Sequence, residues 1–211
     1  RPSVDRAAPT LRINVHAARG AVVVAIDLSG DSLHRRGYRG GQGAAPLKEN
    51  LAAAILLRAG WPAIAATGGA FVDPMCGSGT FAIEAALIAA NIAPGLSRKG
   101  FGFERWKQHD AGSWQAIRTE AQSQSAPELL TRGRIRGFDR DPVVLRDAAL
   151  NAERAGLADR ILFQRSELAN LPAAPAPTGL IAVNPPYGER IGETEELRTL
   201  YALLGERLRV G

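Results

Sequence analysis

The sequence predicts an α/β domain with an open, mostly parallel sheet that is covered by helices on both faces. Two observations lead to this prediction. Short apolar runs alternate with helical segments, in the order strand, loop, helix, strand, helix, strand, strand. The polar motifs directly follow the predicted strands, and parallel sheets bind ligands at the carboxyl ends of their strands. The chain is therefore expected to carry a ligand site along that edge of the sheet.

The first sheet strand, residues 71–73, leads into a glycine-containing turn, and an apolar helix follows from Phe81 to Asn91. Glycine lets a ligand approach the backbone, and a helix amino terminus offers N–H groups to an anion. A dinucleotide site favours Gly-x-Gly-x-x-Gly, whereas this turn has only Gly77-x-Gly79 and an acidic Asp73. An acid there repels a pyrophosphate but suits a zwitterion with an ammonium group. S-adenosylmethionine (SAM) fits that description.

The second predicted strand ends at Asp139 in the run Arg136-Gly137-Phe138-Asp139-Arg140-Asp141-Pro142. An acid in that position accepts hydrogen bonds from ribose hydroxyls. Asp141 is expected to cap a helix that begins at Pro142, since proline is favoured at the first helical position. An ordinary turn at the strand end is the alternative for Asp139.

The third predicted strand covers residues 160–167. Either Glu167 or Ser166 at its end is expected to hold the amino group of an adenine ring, because both side chains carry oxygen acceptors.

A fourth apolar run, residues 179–183, ends in Asn184-Pro185-Pro186-Tyr187. This tetrapeptide places an amide, a proline carbonyl and an aromatic ring around one small space. The Asn184 side-chain oxygen and the Pro185 carbonyl can accept both N–H bonds of a planar conjugated amine, while Tyr187 stacks on the group that carries it. A proline-rich turn is the alternative, but the whole tetrapeptide after such a strand favours an amine-binding site.

Together these motifs resemble the class I SAM-dependent RNA methyltransferases that carry an amino-terminal THUMP module. Within them, the chain is most similar to the large-subunit (23S) ribosomal RNA guanine-N2 methyltransferases. The likeness covers nearly the whole chain and rests on residues 27–39, 45–54, 73–80, 137–139 and 184–190.

The resemblance implies a Rossmann-like class I methyltransferase fold and direct methyl transfer from SAM to the exocyclic N2 of a guanine. The residues that it implies for catalysis are Asn184, Pro185, Pro186 and Tyr187. The residues that it implies for cofactor binding are Asp73, Pro74, Cys76, Gly77, Gly79, Thr80, Asp139, Arg140, Glu167 and Asn184. The family usually has Asp where this chain has Glu167, whose longer carboxylate can serve the same contact.

The resemblance also suggests a division of the chain. Residues 1–45 are expected to be the end of a THUMP-like module with its linker, and residues 46–211 the methyltransferase domain, with an insertion at about 94–134. Alternating patterns at residues 11–16 and 21–28 predict a β-hairpin in the first part. A full sheet of this type has further strands after the fourth one, so we interpret the chain as part of a longer protein.

Two further helices are expected, one from Ser113 to Gln124 within the insertion and one from Glu195 to about Arg209.

Charge favours a polyanionic partner, RNA. The formal net charge is +5, and the isoelectric point is about 10.0. Two basic clusters include aromatic residues, a combination that suits single-stranded or flipped-out nucleic acid. The first consists of Arg35, Arg36, Arg39 and Tyr38, and the second of Arg98, Lys99, Arg105, Lys107, Phe101, Phe103 and Trp106. A solvated basic face is the alternative for each cluster.

Other features limit the remaining function classes. A single cysteine, Cys76, allows no intramolecular disulfide and indicates a reducing, cytoplasmic compartment. Cys76 is interpreted as a small buried residue rather than a nucleophile. No signal peptide, membrane span or metal-ligand spacing is recognised, so we predict neither membrane association nor a metal. The sequence leaves the oligomeric state open.

Three alternative functions remain. The first is transfer to another nucleic-acid amine, either adenine N6 of RNA or DNA or a target in another RNA such as tRNA. The second is transfer to a glutamine amide of a protein, since the same tetrapeptide suits each of these amines. The basic charge argues against a protein target, and the THUMP-like leader favours RNA. The third alternative is a nucleic-acid-binding module without catalysis.

Overall fold

The computed structural model describes residues 4–5, 9–40, 47–186 and 194–210. The strands in this part of the chain are β1 (Arg12–Ala18), β2 (Ala21–Asp27), β3 (Ala70–Asp73), β4 (Ile135–Asp139), β5 (Ile161–Arg165) and β6 (Gly179–Ile181). The α-helices are α1 (Glu49–Arg58), α2 (Trp61–Ala66), α3 (Thr80–Ala89), α4 (Ala111–Ser123), α5 (Pro142–Arg154) and α6 (Thr194–Val210). Short 3-10 helices cover Gly102–Arg105, Pro127–Leu129 and Leu168–Asn170.

The central sheet has the strand order β5-β4-β3-β6, and all neighbouring strands are parallel. This confirms the predicted α/β fold. Strand β6 ends at Ile181 although the apolar run continues to Val183, because only the Ala182 N–H still bonds to strand β3, at 3.1 Å from the Val72 carbonyl oxygen.

Helix α3 forms the centre of the core. Its first eight residues, from Thr80 to Leu87, are all buried, since eight of its ten residues are apolar and it packs against α1, α2 and the sheet. Trp61 covers it, donating from Nε1 to the Ala85 carbonyl at 2.8 Å and packing edge-on against Phe71. The helix that follows the glycine turn is therefore held rigidly.

Acidic caps set the starts of helices α4 and α5. The Asp141 side chain accepts a hydrogen bond from the Val143 N–H at 2.8 Å, which confirms the predicted cap and the helix start at Pro142. Helix α4 begins at Ala111, two residues before the predicted start, because Asp110 caps it by accepting from the backbone of Gly112 and Ser113.

The predicted hairpin is confirmed. Strands β1 and β2 pair antiparallel with Val15 opposite Val24, and nearly every residue of the hairpin is solvent-exposed. No helix among the described residues is long and apolar enough to cross a membrane.

The first basic cluster mostly points inward, so its predicted role as an RNA surface is wrong for three of its four residues. Tyr38 is only 2% exposed and donates its hydroxyl to Glu84 on helix α3. Arg36 pairs with the same carboxylate at 3.4 Å, and Arg39 pairs with Glu49 at 3.2 Å. The buried acids draw these side chains inward, and only Arg35 is exposed.

The second cluster divides in a similar way. Arg98 is 9% exposed and lies over the Phe101 ring. Its guanidinium donates to the backbone carbonyls of Ser29, Asp31, Ser32 and Arg35. Phe103 stacks on Phe101, and Trp114 meets both rings edge-on. These aromatic rings pack on one another, which leaves Lys99, Arg105 and Lys107 as the exposed cations of the cluster.

Candidate active site

Strand register brings the predicted site residues to one edge of the sheet. Asp73 ends β3 and lies opposite Gly137, and Asp139 is the last residue of β4, opposite Arg165. Glu167 follows β5 by two residues, and Asn184 follows β6 by three. Because the strands are parallel, all four positions lie at their carboxyl ends, where α/β sheets bind ligands.

The glycine turn requires its glycines. Gly77 and Gly79 have φ angles of +50° and +85°, a region that costs other residues strain. A Cβ on Gly79 would lie 2.9 Å from the Phe163 ring, whereas a Cβ on Gly77 would meet no atom within 4 Å. The backbone at Gly77 therefore faces open space that a ligand can fill.

Hydrogen bonds from three directions hold this turn in place. The Cys76 N–H donates to the Phe138 carbonyl at 2.8 Å. The Gly77 N–H donates to Asp139 Oδ2 at 2.9 Å. Asn151 of α5, which is 4% exposed, donates from Nδ2 to the Ser78 carbonyl at 3.1 Å. The turn is thus preorganised by strand β4 and helix α5.

Asp73 lies buried beneath the turn. Burial raises the pKa of this carboxyl to about 8, and the charge of Asp139 acts in the same direction, while the Met75 N–H opposes it. No described cation pairs with Asp73, and a buried carboxylate in such surroundings favours a cationic ligand. Asp139 accepts backbone N–H bonds on both oxygens, from Asp141 and Gly77. Each of those oxygens keeps a second lone pair for a ribose hydroxyl.

The amino terminus of α3 is suited to an anion. Its N-cap, Gly79, has no side chain that could bond the first-turn N–H groups. The ammonium preference at Asp73 and the anion preference at α3 match the two charges of an amino acid, so the residues fit the methionine part of SAM.

Cys76 is buried, and burial raises the pKa of its thiol. The thiol therefore stays protonated near neutral pH, as expected for a packing residue rather than a nucleophile.

The predicted site residues that follow β5 and β4 differ in whether their side chains bond to the protein or face solvent. The Ser166 hydroxyl oxygen lies 3.1 Å from both the Glu167 and the Asn170 carbonyl oxygens, which share its one proton, so it helps to hold the local turn. The Glu167 and Arg140 side chains are exposed. Of the two predicted acceptors, Glu167 is the one that faces solvent freely.

At the fourth strand, Asn184 is exposed and Pro185 and Pro186 are partly buried. The Pro186 carbonyl accepts a long hydrogen bond, 3.4 Å, from the Tyr201 hydroxyl on α6. Tyr187, the predicted stacking residue, lies outside the described residues. Within the described ranges no three His, Cys, Asp or Glu side chains gather at a distance that would hold a metal ion.

Sequence reasoning missed three residues that contact the turn: Arg39, Asn151 and Phe163. Asn151 and Phe163 lie on elements that were predicted, but nothing local marks which of their side chains face the turn. Arg39 belongs to a conspicuous arginine-rich segment, although that segment was assigned to RNA.

A comparison with protein families identifies the family to which a chain with this sheet edge belongs. The profile of the family described as "RMKL-like, methyltransferase domain" matches residues 36–210. The chain belongs to this family. The match includes the glycine turn, Asp139 and the Asn184 tetrapeptide, and it begins after the β1–β2 hairpin.

The names of individual relatives agree with this family assignment. Over 212 residues it is 54% identical to "Ribosomal RNA large subunit methyltransferase K/L" of Syntrophotalea carbinolica, covering 99% of this chain and 30% of the relative. The chain thus spans less than a third of the length of that curated relative.

Solved structures confirm the fold. A crystal structure of SMU.472 complexed with S-adenosylhomocysteine (SAH) superposes with a TM-score of 0.85 at 38% identity, covering 94% of this chain and 50% of that one. A structure titled as a predicted N6-adenine-specific DNA methylase of Listeria monocytogenes gives a TM-score of 0.82 at 40% identity, with 93% and 50% covered.

Proposed function

We propose that this chain is the catalytic domain of a SAM-dependent methyltransferase that modifies the exocyclic N2 of a guanine in large-subunit (23S) ribosomal RNA. The observation that carries the proposal is the common position of Asp73, Asp139 and Asn184 at one edge of a parallel sheet in an RMKL-like methyltransferase domain. The names of the curated relatives support ribosomal RNA as the substrate.

The cofactor roles follow from the chemistry of each residue. Asp73 pairs with the ammonium group of the methionine part, and Gly77 and Gly79 allow its close approach. Asp139 accepts hydrogen bonds from the ribose, and Glu167 accepts one from the adenine amino group. Pro74, Cys76, Thr80 and Arg140 complete the lining. The neighbour that was crystallised with SAH supports a pocket of this kind.

The target amine is held from the other side. The Asn184 side-chain oxygen and the Pro185 carbonyl accept the two N–H bonds of guanine N2, while Pro186 and Tyr187 shape the pocket and Tyr187 stacks on the base. When bound, SAM supplies a methyl group on a positively charged sulfur. As the nitrogen lone pair forms the new N–C bond and the S–C bond breaks, the two oxygens stabilise the positive charge that develops on nitrogen. The amine proton then leaves to water.

The test has two stages. Calorimetric titration with SAM and SAH is expected to show micromolar binding that Asp139→Ala weakens. Transfer of a labelled methyl group from SAM to large-subunit ribosomal RNA, followed by mass spectrometry of the nucleosides, is then expected to yield N2-methylguanosine. A folded chain that binds neither ligand would contradict the proposal.

One specific observation favours a second candidate, transfer to adenine N6. The Listeria monocytogenes neighbour is named as a predicted N6-adenine-specific DNA methylase, and the Asn-Pro-Pro-Tyr chemistry serves an adenine amine equally well. The same nucleoside analysis separates the two, because N6-methyladenosine in place of N2-methylguanosine would identify adenine as the target.

We also propose the partner, the compartment and the domain division that the sequence predicts. RNA is the partner, bound in the cytoplasm, and residues 1–45 are the end of a THUMP-like module that precedes the methyltransferase domain of residues 46–211. The exposed cations Lys99, Arg105 and Lys107 are the most accessible members of the predicted basic surface.

A further inference from the structure

We propose that Arg39 binds the carboxylate of the methionine part of SAM, at the amino terminus of α3. The inference rests on the proposed function and adds a residue to its cofactor site. Arg39 lies on the segment between the hairpin and the methyltransferase sheet, and none of the predicted cofactor roles was assigned to it.

The position of the guanidinium is fixed by three contacts. Arg39 Nε donates to Glu49 at 3.2 Å. Its Nη2 donates to the Leu47 carbonyl at 2.9 Å and to Thr80 Oγ1 at 2.8 Å. Thr80 is the first residue of α3, so the guanidinium lies beside the end of the glycine turn.

One nitrogen of this guanidinium has no hydrogen-bond acceptor among the described residues. Arg39 Nη1 is buried and makes no hydrogen bond, although the side chain as a whole keeps 16% of its exposure. Buried guanidinium nitrogens normally have partners because an unmade charged hydrogen bond is costly. An anion beside Thr80 would supply the missing acceptor.

The bond to Thr80 leaves a second donor at the same place. Because Thr80 Oγ1 accepts from Arg39, its own hydroxyl proton is free to point elsewhere. Together with the uncapped N–H groups of α3, this gives a hydroxyl, a guanidinium N–H and a helix terminus at one spot. A carboxylate has two oxygens that accept such donors.

The charges are separated in the order that an amino acid requires. Asp73 begins the glycine turn and provides an acid, whereas Arg39 and α3 provide donors at its other end. Glu49 already neutralises the net charge of Arg39, so the recognition depends on directed N–H groups and the helix dipole rather than on excess positive charge.

Arg36 offers a matched control. It lies on the same segment and also bonds to α3, but through Glu84, four residues farther along the helix than Thr80. Among the described residues, the hydrogen bonds of its guanidinium go to Glu84 and Leu33 and not to the glycine turn. Loss of Arg36 removes an equivalent buried ion pair without touching the proposed carboxylate position.

The experiment compares two ligands that differ in the amino acid part. SAH has it, whereas 5′-methylthioadenosine keeps only the nucleoside and sulfur. Equilibrium binding of both is measured on the wild-type chain, Arg39→Gln, Arg39→Lys and Arg36→Gln, with thermal unfolding of each variant. Arg39→Lys keeps the charge and serves if Arg39→Gln does not fold.

Arg39→Gln is expected to weaken SAH binding by about ten- to a hundredfold and methylthioadenosine binding by about twofold or less. Arg39→Lys should lower the ratio of SAH affinity to methylthioadenosine affinity less than Arg39→Gln does, because lysine keeps the positive charge. It should still lower that ratio, because one nitrogen replaces the planar guanidinium fork. Arg36→Gln should lower the melting temperature and leave the ratio of the two affinities unchanged.

Equal losses for both ligands in a folded Arg39 variant would overturn the inference and leave Arg39 a purely structural role. A wild-type chain that binds methylthioadenosine as tightly as SAH would also overturn it, since no amino acid contact would then exist. A wild-type chain that binds neither ligand would instead refute the proposed function.

Discussion

The two halves of the candidate site are built differently. On the cofactor side, the glycine turn is bonded to strand β4 through Cys76 and Gly77 and to α5 through Asn151. On the target side, Asn184 is exposed, and the single hydrogen bond found there among the described residues joins Tyr201 to Pro186 at 3.4 Å. The cofactor half is preorganised by the fold, whereas the described part of the target half, up to Pro186, makes few contacts.

This difference has a physical basis. A small ligand that is bound in every catalytic cycle gains affinity from a rigid pocket, because little conformational entropy is lost on binding. A flipped-out base must enter and leave, and the segments that admit it are drawn from the less stable parts of a fold. Substitutions in the two halves should therefore affect different measurements.

The largest effect is expected from Asn184→Ala. Loss of the amide removes one of two acceptors that stabilise the developing charge, so methyl transfer should slow by about a hundred- to a thousandfold. The affinity for SAH should fall much less than the transfer rate, and the melting temperature should stay nearly unchanged, since Asn184 is exposed. Single-turnover transfer and calorimetry check both parts. Unchanged turnover would refute the proposed mechanism.

Asp139→Ala should produce the opposite pattern. We expect SAH affinity to fall by about ten- to a hundredfold, from the loss of charged hydrogen bonds to the ribose. The variant also frees the Gly77 N–H, so the melting temperature should fall as well. Asp141→Ala is the control, because it removes only the cap of α5 and should leave the affinity intact.

Gly79→Ala and Gly77→Ala form a pair that separates stability from binding. Both force a side chain into a positive φ, at a cost of about 1–2 kcal/mol. Only Gly79→Ala adds a collision with Phe163, so it should be the less stable of the two by denaturant unfolding. Gly77→Ala should lose SAH affinity at least as strongly, because its methyl group enters the open space. If the order of stabilities is reversed, the packing of Phe163 against Gly79 does not hold.

The pH dependence of binding tests Asp73. In the free protein its pKa is about 8, so the carboxyl is mostly protonated at pH 7, and pairing with an ammonium group lowers that pKa. Binding of SAH therefore releases a proton, and affinity should rise by up to about tenfold per pH unit between pH 6 and 7.5. Titrations in buffers of different ionisation enthalpy measure the proton. Asp73→Asn should abolish the dependence.

The raised pKa of Asp73 also determines how the stability of the free protein changes with pH. The folded chain holds a proton on Asp73 that the unfolded chain has lost above its ordinary pKa of 3.8. This residue therefore makes the free protein less stable as the pH rises from about 4 to 8. Asp73→Asn should remove that slope in urea unfolding.

The smallest effect is expected from Tyr201→Phe. Its long, exposed hydrogen bond to Pro186 should contribute about 0.5 kcal/mol or less, so transfer should change by about twofold at most. A tenfold loss would mean that the target half is held more firmly than its contacts indicate.

The sequence alone determined the ends of the first two sheet strands at Asp73 and Asp139, the glycine turn, the acidic cap at Asp141 and the family, because these depend on local patterns of apolar, glycine and acidic residues. It also identified Asp73, Asp139 and Asn184 as neighbours, since parallel strands bring their carboxyl ends together. The tertiary structure alone decided the direction of Arg36, Arg39 and Arg98. A long cationic side chain looks the same in sequence whether it meets RNA or a buried acceptor. The deciding partners, Glu84, Glu49 and the carbonyls of residues 29–35, lie far from these arginines in the chain or are backbone atoms without a sequence signature.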